Sequence, residues 1–103
     1  MARGKIYEGI EEDPKGAMNQ TGTIIRDAWV FGIIPETETC AGWDWGRIED
    51  LYSQVSAAWE PYAHLPSQLP PELRERHQRI YSEAVERARK LGWDPDEELK
   101  DES

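Results

Sequence analysis

The chain predicts an all-α domain: a small three-helix bundle or orthogonal helical array, with an irregular N-terminal arm and a short acidic C-terminal helix or tail. Two observations carry this reading. Apolar residues recur at spacings of three and four along residues 45–62 and again along 73–91. Proline and glycine stand where such helices must start or stop, at Pro35, Pro61, Pro71 and Gly92. Three apolar helix faces joined by short loops bury one another as a small bundle.

At 103 residues the chain is one domain by length. Leu, Ile, Val and Phe make up only about 17% of it, and the formal net charge is −9. Those two values alone border on disordered composition. Five Trp and four Tyr argue for a folded core, because each buried ring removes on the order of 150–250 Å² from water. The composition excludes a collagen-like chain, a disulfide scaffold, a transmembrane protein and a basic nucleic-acid binder. Three segments are expected: an irregular arm over 1–22, a helical domain over 23–92 and an acidic tail over 93–103.

In the arm, Gly4, Gly9, Pro14, Gly16 and Gly22 discourage regular structure. Residues 5–10 alternate weakly and predict a short extended segment. With no sheet to join, it should lie against helices or pair with a second chain. Thr23 is the expected N-cap of the first helix, which runs through Ile24–Ile33 until Pro35 ends it. Arg26 and Asp27 are its only charges, so it should be buried on more than one side. The alternative is that Trp29–Ile34 forms a buried strand, since short apolar runs are ambiguous.

The second helix is expected to start near Trp43 or Asp44 and to present Trp45, Ile48, Tyr52, Val55, Trp59 and Tyr62 to the core, with Leu51 and Ala58 widening that face. Pro61 ends or kinks its last turn. A proline-punctuated connector follows. Pro71 then sits at the first position of a third helix, and Gly92 stops it. Leu73, His77, Ile80, Tyr81, Ala84, Ala88 and Leu91 share one face. Glu72–Arg76, Glu75–Arg79, Glu83–Arg87 and Glu86–Lys90 stand at i,i+4 with the acid first. Asp94–Pro95–Asp96–Glu97 predicts a short terminal helix. Trp29, Trp59, Tyr52, Ile80 and Leu73 are the expected core.

No catalytic constellation emerges. Cys40, His64 and His77 are the soft metal ligands, and their spacing matches no zinc motif. The acidic stretch before Cys40 would raise its pKa, while a helix opening at Ala41 or Gly42 would lower it, so the residues alone leave the direction open. His77 on an apolar helix face reads first as a packed core residue, and otherwise as a pH-sensitive contact. Adjacent acids such as Glu49 and Asp50 point apart on a helix and make no acid–base dyad. The basic residues of the third helix alternate with glutamates, so they form no phosphate-binding stripe. No cofactor motif is present.

The unusual local feature is Gly42-Trp43-Asp44-Trp45-Gly46. Trp43, Trp45 and Trp93 are the expected partner-binding residues. Trp45 belongs to the core face, but Trp43 before the helix and Trp93 after Gly92 stand where they can be exposed, and exposed tryptophans anchor interfaces. The function expected is that of a non-enzymatic, cytoplasmic interaction or accessory protein acting through an aromatic helical surface. Its partner would be another protein or a second copy of itself, as a homodimer, and neither nucleic acid nor membrane. The alternatives are a small-ligand, metal or cofactor carrier, or a non-catalytic enzyme subunit.

Overall fold

A computed structural model describes residues 6–13 and 16–93. The predicted terminal helix and the acidic tail from residue 94 onward lie outside the described residues. Three helices pack together: α1 (Gln20–Val30), α2 (Trp45–Trp59) and α3 (Pro71–Lys90). The all-α expectation holds.

α1 is the central element and packs against both other helices. It starts earlier than Thr23. Asn19 is the cap, its side chain accepting from the Gly22 N–H at 2.8 Å. Val30 ends the helix and Gly32, at φ +72°, turns the chain, so residues 29–34 form a helix end and a turn and not a strand. Ile25, Ala28 and Val30 are fully buried. The two charged residues, Arg26 and Asp27, are buried as well, not carried on the solvent side of the helix.

In α2 the Asp44 side chain caps the helix by accepting from the Arg47 N–H at 2.8 Å. Ile48, Leu51, Val55 and Trp59 are buried, but Trp45 and Tyr52 are not. The buried stripe is turned by roughly 60° from the line through Trp45 and Tyr52, taking about 100° per residue. Tyr52 therefore leaves the expected core. Trp59 and Ile80 stay in it, while Trp29 and Leu73 are half-buried against it. After α2 comes a 3-10 turn at Glu60–Tyr62, which Pro61 fits.

α3 starts on Pro71 and stops where Gly92, at φ +100°, reverses the chain and Trp93 donates its backbone N–H to the Ala88 carbonyl at 2.9 Å. Its apolar face is shallow. Ile80 and Ala88 are buried, and Leu91 is exposed at the helix cap. The expected i,i+4 pairs give way to longer-range partners. Arg79 grips Glu36 with both terminal nitrogens and also meets Glu83. Arg76 donates to the Val30 carbonyl and Arg87 to that of Glu11. Arginine can reach these carbonyls because its long stem spans the gap between elements.

The arm belongs to the core, with Tyr7, Ile10 and Ala17 buried. Its extended segment pairs with the loop before α2 and needs no second chain. Ile6 and Asp44 form an antiparallel bridge. Tyr7 N–H donates to Trp43 at 2.7 Å, Gly42 N–H to Tyr7 at 2.9 Å, and Ile10 N–H to Thr39 at 2.9 Å. Among the described residues no helix is long and apolar enough to cross a membrane.

Candidate functional site

The three expected partner-binding tryptophans sit in different surroundings. Trp43 is half-buried beneath the Arg47 guanidinium, 3.9 Å above its ring centre, a cation–π contact. Trp45 is 38% exposed and meets Tyr7 edge-on at 5.5 Å. Trp93 is half-buried behind the end of α3, and its indole N–H is buried without an acceptor among the described residues. Trp45 lines a cleft of about 400 Å³ with the exposed Ile6.

Cys40 is fully buried in the loop before α2, at φ +65°. Burial, and then the Glu38 carboxylate, push its thiol up to about 11. The thiolate is therefore disfavoured, and burial, which the sequence did not show, decides the direction that the acidic stretch alone left open. Cys40 also stands apart from the histidines. Among the described residues no three of His, Cys, Asp and Glu are placed to hold a metal ion.

The histidines converge on Trp59 instead. His77 lies edge-on to the Trp59 ring at 6.0 Å and stacks on Tyr81 at 4.5 Å. His64 stacks on Trp59 at 6.5 Å. Two consecutive left-handed residues, Ala63 at φ +54° and His64 at φ +58°, hold it there. Such conformations are sparse for residues with a Cβ and cluster at functional positions.

Beneath these rings lies Asp27, only 7% exposed. The Trp59 indole N–H donates to one carboxylate oxygen at 3.0 Å, and the Tyr81 hydroxyl donates to the other at 2.5 Å. Burial, with Asp27 alongside, raises the Tyr81 pKa far above its usual range, so the phenol keeps its proton and remains a donor. A crevice of about 430 Å³ opens over this group, walled by Tyr52, Trp59, Tyr81, His64 and His77. It adjoins a wider groove of about 980 Å³ along the outer face of α3, sharing Pro66, His77 and Tyr81 with it.

Arg26, next to Asp27, faces the opposite way. Its guanidinium donates to the carbonyls of Gly16 and Ala17. The fork therefore clasps the arm onto α1 and leaves Asp27 to the other side. Sequence reasoning found His64 and His77 but missed Asp27 and placed Tyr52 in the core. The available signal for Asp27 was a carboxylate within a nearly all-apolar helix. Compared with protein-family models, curated proteins and solved structures, the chain matches none.

Proposed function

We propose that this chain is a non-enzymatic, cytoplasmic interaction protein that holds a partner across an aromatic strip on α2. The observation that carries the reading is the exposure of two large aromatics on one helix face. Trp45 is 38% and Tyr52 46% exposed, and they stand seven residues apart, two helical turns along one line. The strip runs from the cleft at Ile6 and Trp45 to the crevice at Tyr52. Aromatics supply large contact area at small entropic cost, and they dominate interface energetics.

The test is photocrosslinking in the native host, with benzoylphenylalanine at position 52, at 45 and, as a control, at the exposed Gln54. A discrete adduct from 52 and 45, absent from 54 and lost from 52 when Trp45 is changed to Ala, supports the strip. An adduct at twice the chain mass identifies a homodimer. Equal background at all three positions removes the proposal.

A further inference from the structure

We infer that the crevice over Asp27 is a binding site for an alkylammonium group. Buried carboxylates are normally paired with a cation. Among the described residues no Lys, Arg or His nitrogen lies within 4.0 Å of Asp27, since the ion pairs there are Arg79 with Glu36 and with Glu83. Arg26, the nearest cation in sequence, is turned to backbone carbonyls. Asp27 has only the neutral Trp59 and Tyr81 donors. Each of its oxygens thus keeps acceptor capacity beyond the one bond it makes.

The walls suit the same ligand. Trp59, Tyr81 and Tyr52 line this space of about 430 Å³, Tyr52 being the exposed ring, while His64 stacks on Trp59 and His77 on Tyr81. Aromatic faces attract alkylated ammonium ions by their quadrupole, most strongly when water is excluded. That volume falls in the range of small-molecule sites. The carboxylate supplies the charge preference, and the rings accept the methyl or methylene groups around the nitrogen. A neutral ligand of the same shape would gain the ring contacts but not the attraction to Asp27. The site shares Tyr52 with the partner strip but does not rest on it, because its charge recognition comes from Asp27 and a free amine suffices to fill it. Failure of crosslinking at position 52 would leave it standing.

The experiment titrates choline, and separately its neutral isostere 3,3-dimethylbutan-1-ol, into the ¹⁵N-labelled full chain. It follows the Trp59 indole N–H resonance. Choline should shift that signal saturably, and the neutral isostere should bind at least about tenfold more weakly. Asp27→Asn should cost about tenfold or more in choline affinity. Should Asp27→Asn fail to fold, Tyr52→Ala removes an exposed wall and should still weaken choline severalfold. Butylammonium and Nα-acetyl-lysine amide then separate the sources. Equal binding of both points to a free amine, and preference for the lysine derivative points to a protein side chain. Equal binding of choline and its isostere, or no saturable shift with any of the cations, overturns the assignment.

Discussion

Replacing Gly22 by Ala in α1 should destabilise the protein, against the usual helix rule. At an unconstrained interior helical site this change gains about 1 kcal/mol. Here a Cβ on Gly22 would lie 1.9 Å from the Ala17 carbonyl oxygen and 2.9 Å from the Ala17 Cβ. Ordinary contact needs more than 3 Å, so the arm must retreat by about 1 Å or more. That carbonyl accepts from Arg26 at 3.0 Å, and the neighbouring Gly16 carbonyl accepts from the same guanidinium. Each hydrogen bond to a charged group contributes about 1.5–3 kcal/mol. Weakening both outweighs the propensity gain and leaves a net loss of about 2–4 kcal/mol. For a domain of this size the melting temperature should fall by about 10 °C or more. Urea and thermal melts followed by circular dichroism measure it. Gly46→Ala is the control, since its Cβ would meet only the capping Asp44 Oδ1, at 3.3 Å, where a shift of a few tenths of an ångström relieves the contact. That variant should stay within about 1 kcal/mol of the parent, the propensity gain being offset in part by pressure on the cap. If Gly22→Ala matched Gly46→Ala, the close packing of the arm on α1 would be refuted.

Arg26→Lys keeps the charge but loses the fork, and should cost about 1.5–3 kcal/mol in a urea melt. Combined with Gly22→Ala it should cost less than the sum, because both act on the Ala17 carbonyl; strict additivity would contradict the clasp. Cys40 should react with Ellman's reagent at pH 8 far more slowly in the native protein than in urea, and equal rates would contradict its burial. The unfolded thiol ionises near pH 8.5 and the folded one at about 11. The unfolded state therefore loses its proton first as pH rises, and stability should decline between about pH 9 and 11. Cys40→Ala should flatten the early part of that decline. Tyr7 and Tyr81, also raised, would still contribute at its upper end.

What could be read in the residues follows the range of the interactions involved. Pro71 and Gly92 mark α3 because their effects are confined to their own backbone. Asn19 and Thr23 can both cap, and the choice of Asn19 depends on Gly22 packing against Ala17 of the arm, which the local residues do not show. The phase of α2 was blurred because apolar residues cover more of its circumference than α1 can bury. Hydrophobicity alone does not distinguish Tyr52 from Leu51. Arg26 and Asp27 were illegible as buried groups, since their partners lie elsewhere. Trp59 and Tyr81 follow Asp27 by 32 and 54 positions. The candidate site therefore exists only once three separate helices have met.

The same long reach bears on how the chain comes together. Asp27 is buried by one residue from α2 and another from α3, while Arg26 needs the arm that precedes α1. Until Tyr81 has been synthesised, α1 holds a carboxylate with half its donors missing, and its burial is opposed by desolvation. A pair of these helices, expressed apart from the third, should stay loose. Cleavage in the connector between α2 and α3 should loosen α1 as much as the helices on either side of the cut. The charge inside α1 should thus tie folding of the domain to completion of the very crevice proposed to bind a cation.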